Sequence, residues 1–205
     1  RGKVDWNNRK ESYSIYSLIE FKDPLVDFLG LLFSPDKLKF PLTFSQVSMK
    51  VVSVNVASVA GELSAAEKRK TKTGIYKKPQ SRRVQVRSQG IEGDLICNRK
   101  HHGGKDQAIY AYSTKDYAFW SRSLNSLLGP GAFGENLTIS GIDFSTLCIG
   151  DVLVLPDLQL QVTAPRIPCR MLSSAIKQKD FSNKFNKANR SGAYFRVTLE
   201  GTVGE

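Results

Sequence analysis

The sequence predicts a mostly β, α+β fold with a few peripheral helices. Three features point there. Apolar and polar residues alternate with period two at 158–163 and 83–87, the pattern of a strand with one buried face. Gly, Pro and Asp cluster between such runs at 90–94, 129–131, 150–151 and 156–157, where they mark turns. Helical patterning is confined to a few short stretches, most of them in the second half of the chain.

Taken in order, residues 1–48 read as an extension of unknown role. They hold seven Lys and Arg against six Asp and Glu, so nearly all of the net charge of +11 lies downstream. Residues 13–33 predict a short helix broken at Pro24, and Pro35 and Pro41 predict extended chain. The acidic residues set this segment apart from an organelle transit peptide. The functional domain is expected at 49–205, opening with a strand at 50–56. A basic linker follows at 57–72, with one helical turn at 65–68. Residues 73–79 are a turn followed by cations: Gly74 permits close backbone approach, and Lys77 and Lys78 suit a phosphate or a solvated hairpin tip. A strand with a cationic face is expected at 83–87.

The loop 98–106 is the densest polar cluster. Gly103 and Gly104 let backbone amides converge, and Arg99, Lys100 and Lys105 bring positive charge; this suits a phosphate or polar heterocycle, or else a surface loop. His101 and His102 lack the spacing of a metal site. Residues 108–112 predict a buried strand. Ser113 then caps a helix with Asp116 in its first turn, running to 128 and broken by Gly129-Pro130-Gly131. Asn136 either meets a ligand edge or caps a turn. Strands at 152–155 and 158–163, helices at 171–176 and 181–185, and a last strand at 193–199 complete the pattern, with 201–205 read as a turn.

A length of 205 residues, 40% hydrophobic and 24% charged, suits one domain with a core and room for an appendage. The charge of +11 favours an anionic partner. Three scattered cysteines make neither a disulfide framework nor a zinc knuckle and favour a reducing compartment. The longest apolar run, 28–33, is too short for a membrane span.

The candidate chemistry centres on Pro165-Arg166-Ile167-Pro168-Cys169-Arg170. Two prolines end the preceding strand and stiffen the chain. Arg166 and Arg170 flank Cys169, and neighbouring cations favour a thiolate over a thiol. The plain alternative is a small core residue at a strand end. Cys97 and Cys148 fit ordinary packing beside apolar neighbours.

Several stretches occur together and in order: Thr73-Gly74-Ile75-Tyr76-Lys77-Lys78-Pro79, Gly93-Asp94, His101-His102-Gly103-Gly104, Phe133-Gly134-Glu135-Asn136-Leu137, Cys148-Ile149-Gly150-Asp151, the Cys169 motif and Gly192-Ala193-Tyr194-Phe195-Arg196-Val197. Over about 49–205 the chain resembles the MOSC domain (molybdenum cofactor sulfurase C-terminal domain), in its YiiM-like branch. The resemblance implies a MOSC-type β-barrel core with a few peripheral helices. It also implies a domain truncated after Glu205, where members of the branch continue. It further implies the molybdenum cofactor, Mo-molybdopterin, with Cys169 as catalytic thiolate and metal ligand. Thr73, Lys77, Asp94, Arg99, His101, His102, Gly103, Lys105, Asn136, Arg166 and Arg170 would hold that cofactor. The activity implied is that of an oxidoreductase reducing small N-hydroxylated compounds to amines by oxygen-atom transfer to molybdenum. Soft thiolate sulfur suits such a metal. The sequence shows no flavin, haem or nicotinamide fingerprint, so electrons would come from a separate donor protein. Location would be cytoplasmic, with an organelle left open.

Two alternatives use the same cysteine: a metal-free sulfur carrier or transferase with a persulfide on Cys169, and a non-catalytic carrier that hands the cofactor on. A nucleic-acid module is disfavoured, since no RNA-binding aromatic motif, recognition helix or zinc-finger spacing is present.

Overall fold

Alternation within the buried strand Ile109–Ser113 sets the layering of the molecule. Ile109 and Ala111 join an aliphatic core with Val51, Leu160 and Phe195. Tyr110 and Tyr112 join an aromatic cluster with Trp120, Phe133, Phe181 and Phe185. Successive side chains leave a strand on opposite faces, so one strand serves two cores.

The computed structural model describes residues 14–16, 49–63 and 71–205. In chain order the strands are β1 (Ser14–Tyr16), β2 (Lys50–Val56), β3 (Gly61–Leu63), β4 (Thr71–Thr73), β5 (Lys78–Pro79), β6 (Val84–Arg87), β7 (Gly90–Ile91), β8 (Ile109–Ser113), β9 (Leu137–Ser140), β10 (Val152–Leu155), β11 (Leu158–Pro165), β12 (Ala193–Leu199) and β13 (Gly201–Val203). The α-helices are α1 (Arg99–His102), α2 (Thr114–Ser123), α3 (Arg170–Ile176) and α4 (Phe181–Ala188).

Eight strands form one sheet in the order β1-β10-β11-β12-β8-β9-β2-β5. Its ladders are antiparallel except β8–β9. A second sheet, β13-β6-β7, contributes Val203, Val86 and Ile91 to the aliphatic core and so covers one face. Helices α2, α3 and α4 cover the other through Trp120, Leu172, Phe181 and Phe185. Ser113 caps α2 as expected, its Oγ accepting the Asp116 N–H at 3.0 Å. Trp120 Nε1 donates to the Tyr112 hydroxyl at 2.8 Å, satisfying a buried polar group at the helix–sheet junction.

The expected β-barrel does not form. A barrel needs an unbroken hydrogen-bonded ladder around its circumference. Here β1 and β5 stand at opposite ends of the strand order, and no ladder among the described residues joins them. Strand β5 is two exposed residues, one of them Pro79, which has no N–H to donate. The following strand, β6, joins the second sheet instead. The fold is therefore an open, mixed α+β arrangement.

Smaller corrections have local causes. Ser14–Tyr16 is a strand paired with β10, where a helix is expected. The rest of that helix, the stretch with Pro35 and Pro41 and the helical turn at 65–68 lie outside the described residues. The loop 98–106 contains a helical turn, α1. Helix α2 stops at Ser123, short of 128, and Asn125 follows with φ 46°. The expected turn at 201–205 is strand β13, recruited by β6. Among the described residues no helix is long and apolar enough to cross a membrane.

Candidate functional site

Strand β11 ends at Pro165, and the chain then turns Arg166 inward while Ile167 stays 77% exposed. Arg166 is 6% exposed. Its Nη1 donates to the Phe133 carbonyl at 2.5 Å, and its guanidinium lies 4.5 Å over the Tyr110 ring. Tyr194, facing the same side of the sheet, has its ring 5.3 Å from that of Tyr110. Cys169, half-buried, caps the start of α3. Its carbonyl accepts from Ser182 Oγ at 2.9 Å and from the Leu172 N–H at 3.0 Å. Ser173 Oγ in turn accepts the Ser182 N–H at 2.9 Å, so α3 and α4 together fix the cysteine backbone.

The environment of Cys169 favours its anion. Burial alone pushes the thiol up, but a hydrogen bond from His102 and the nearby charge of Arg166 outweigh it and bring the pKa down to about 7. The ring Nδ1 of His102 also meets the Tyr194 hydroxyl at 3.4 Å. Arg166 is thus one of the charges beside the thiol, and His102 adds a partner from a distant loop.

Across a cavity of about 710 Å³ lies a second polar assembly. Asp94 pairs with Lys77, accepts the Asn136 Nδ2–H at 2.9 Å through the same carboxylate oxygen, and accepts the Ala57 N–H at 2.9 Å through the other. Asn136 Oδ1 accepts the Tyr110 N–H at 3.2 Å. The side chains of Asp94 and Asn136 are therefore committed to protein partners. Burial lowers the Lys77 pKa, and Asp94 opposes that shift. Gly134 fits this wall because a Cβ there would sit 2.9 Å from Ile75 Cγ1, at a φ of 73° that favours glycine.

Among the expected residues, Thr73, Lys77, Asp94, His101, His102, Asn136, Arg166, Cys169 and Arg170 all line the cavity. Arg99, Gly103 and Lys105 lie outside its wall, on or beside α1. The wall also includes Lys100, expected as part of the cationic loop, and Lys72, Cys97, Tyr110 and Tyr194, which sequence reasoning left out of the site. Their common signal is placement: Tyr110 and Tyr194 occupy the helix-covered face of paired strands β8 and β12. Among the described lining residues Asp94 is the sole carboxylate, set against Lys72, Lys77, Lys100, Arg166 and Arg170. Cys97 and Cys148 are exposed, which corrects their expected packing role.

The molybdenum-cofactor expectation is corrected by the donor set. Holding a metal through protein groups requires several converging ligands of suitable softness. Among the described residues no group of three or more His, Cys, Asp or Glu side chains converges on a metal position. Cys169 has His102 and Arg166 around it, which stabilise a thiolate by hydrogen bond and charge. The readings that depend on Cys169 as metal ligand fall with it: the cofactor and the molybdenum-dependent N-reductive oxidoreductase activity.

The open α+β sheet and its helices thus place the half-buried Cys169 on the wall of a cavity lined, among the described residues, by five Lys and Arg side chains. The family model described as "MOSC domain" matches residues 98–205, and the chain belongs to the MOSC domain family. Its relatives place it in the YiiM-like branch. It is 38% identical over 135 residues to "Uncharacterized protein YflK" of Bacillus subtilis (strain 168), covering 66% of this chain and 61% of that protein. It is 32% identical over 117 residues to "Protein YiiM" of Escherichia coli (strain K12), covering 56% and 52% respectively. The crystal structure of YiiM from Geobacillus stearothermophilus superposes with a TM-score of 0.60 at 31% identity, covering 76% of this chain and 71% of that one. The chain thus spans roughly half to three-fifths of these two curated relatives.

Proposed function

We propose that the protein is a metal-free cysteine sulfur carrier or transferase, with Cys169 accepting a sulfane sulfur as a persulfide. The observation that carries this is the Cys169 thiol, lowered to about 7 by His102 and Arg166 on the wall of a cationic cavity. At neutral pH about half of such a group is thiolate, the nucleophilic form. The thiolate attacks the outer sulfur of a donor persulfide, R–S–SH. A new Cys169 S–S bond forms, the donor S–S bond breaks, and its electron pair leaves with R–S⁻, so Cys169 ends as Cys–S–SH with no net oxidation. Passing the sulfur to an acceptor thiolate reverses the bonds and restores Cys169. His102 and Arg166 orient and stabilise the anion at each stage. Lys77, Asp94 and Asn136 shape the opposite wall, and Lys72, Lys100 and Arg170 favour anionic reactants. Such a thiol requires a reducing compartment, consistent with three free cysteines.

The test is to incubate the full chain with a low-molecular-weight alkyl persulfide and map the product by mass spectrometry. One added sulfur atom on Cys169, transferable to cyanide as thiocyanate and abolished by Cys169→Ser, is the expected result. A folded protein whose Cys169 takes sulfur from no sulfane donor overturns the reading.

A further inference from the structure

Building on the sulfur-carrier reading, we propose that Cys169 draws its sulfane sulfur from an oxyanion donor of the thiosulfate or thiosulfonate class, with Arg166 receiving the departing sulfite or sulfinate. The placement of Arg166 carries this. Arg166 is 6% exposed and lines the cavity beside Cys169, and its guanidinium has neutral partners: the Phe133 carbonyl and the face of Tyr110. Its Nε has no acceptor at all. Among the described residues no carboxylate pairs with it. A buried cation left without a counter-charge is costly, and Cys169 supplies charge only while it is a thiolate. The fold therefore holds a cation poised for an anion at the point where sulfur transfer releases one.

The identity of the leaving group follows from donor geometry. A planar guanidinium matches anions that present two or more oxygens, which sulfite and sulfinate do and an alkyl thiolate does not. Electrostatics elsewhere on the wall agree. The carboxylate of Asp94 is neutralised by Lys77, while Lys72 and Lys100 add cations along the cavity. With thiosulfate, Cys169–S⁻ attacks the outer sulfur, the Cys169 S–S bond forms and the S–SO₃ bond breaks. The electron pair departs with sulfite, leaving Cys169–S–S⁻. Charge balances at minus three on both sides, and no proton, oxidant or reductant is needed.

The experiment uses the intact chain and thiosulfate, with an alkyl persulfide as comparison donor. The expected result is sulfite released in step with persulfide formation at Cys169. Arg166→Met should slow loading from thiosulfate about tenfold to a hundredfold more than loading from the alkyl persulfide, the loss of one charge-assisted contact. Both rates are normalised to iodoacetamide alkylation of Cys169, which corrects for altered thiolate content. Should that variant fail to fold, the wild-type chain still decides. Sulfate at constant ionic strength should protect Cys169 from iodoacetamide saturably, where chloride does not. Loading by alkyl persulfide without loading by thiosulfate, or an absence of sulfate protection, overturns the oxyanion-donor inference and leaves the carrier reading standing. Loading by neither donor overturns both.

Discussion

Lys77 and Asp94 form an ion pair sealed into the cavity wall, their side chains 7% and 4% exposed. The carboxylate is also the acceptor for Ala57 and Asn136, so one group joins β2, the loop after β7 and the segment before β9. Removing a single partner of a buried pair leaves the other charge uncompensated. Asp94→Ala should therefore cost about 3–5 kcal/mol in urea unfolding. In that variant folded Lys77 holds its proton less tightly than the unfolded chain does. Stability should then rise with pH toward the ordinary lysine value of about 10.4. The paired substitution Lys77→Met with Asp94→Leu should recover the part of the loss that comes from the stranded charge, but not the part from the Ala57 and Asn136 donors; an additive double variant would show that the pair contributes nothing as a pair.

Alkylation of Cys169 by iodoacetamide should follow a single titration with midpoint at about 7, read site by site from labelled peptides. Because His102 donates to the sulfur, His102→Gln should move the midpoint upward, toward the ordinary thiol value of about 8.5. The rate at pH 6.5 falls accordingly, while the rate well above pH 9 changes little. A His102→Gln midpoint unchanged from wild type would assign the stabilisation to Arg166 alone.

Much of this was legible in the sequence because it is local. Period-two patterning located β6 and β11, strands were expected where β2, β8 and β12 lie, and the serine at 113 located the start of α2. The prolines and arginines around Cys169 pointed to an activated thiol. What escaped is long-range. Strand β13 has three residues with no pattern of its own and exists through its pairing with β6. Sheet closure depends on which edges meet, and no local periodicity records that β5 ends at a proline. The reach of His102, rather than His101, to the thiol depends on the long-range placement of α1 beside Cys169. Arg99 and Lys105 carry the right charge but project from a turn outside the cavity wall.

Gly192 should resist substitution for two separable reasons. Its φ is 64°, and an added Cβ would lie 2.4 Å from the Ala111 carbonyl oxygen and 2.7 Å from Tyr112 Cδ2. Both contacts are in β8, the strand that β12 pairs with directly after this glycine. Gly192→Ala is expected to cost about 2–4 kcal/mol by thermal or urea unfolding. Gly93 has φ 82° but nothing within 4 Å of its added Cβ. Gly93→Ala should therefore show backbone strain alone, about 1–2 kcal/mol. Equal costs at the two positions would remove the steric part of the explanation.

Glu135 supports the cavity wall from behind and should leave a pH signature. Its Oε1 accepts from the Tyr117 hydroxyl at 2.6 Å, the Gly131 N–H at 2.7 Å and the Thr138 hydroxyl at 2.7 Å, whereas its Oε2 has no partner. Burial raises the carboxyl pKa, and the three donors only partly offset that shift. The folded chain then holds this proton more tightly than the unfolded chain. Its contribution to stability is greatest in acid and is lost as pH rises from the ordinary carboxylate range, about 4.3, through the raised folded value. Glu135→Gln keeps a carbonyl oxygen for the three donors and cannot ionise. The variant should gain stability relative to wild type between pH 5 and pH 8, as read from urea midpoints at each pH. Glu135→Ala instead strands three buried donors beside a small void and should cost about 2–4 kcal/mol. Parallel pH profiles for wild type and Glu135→Gln would mean that Glu135 carries the same charge folded and unfolded across this range, and the raised carboxyl would be wrong.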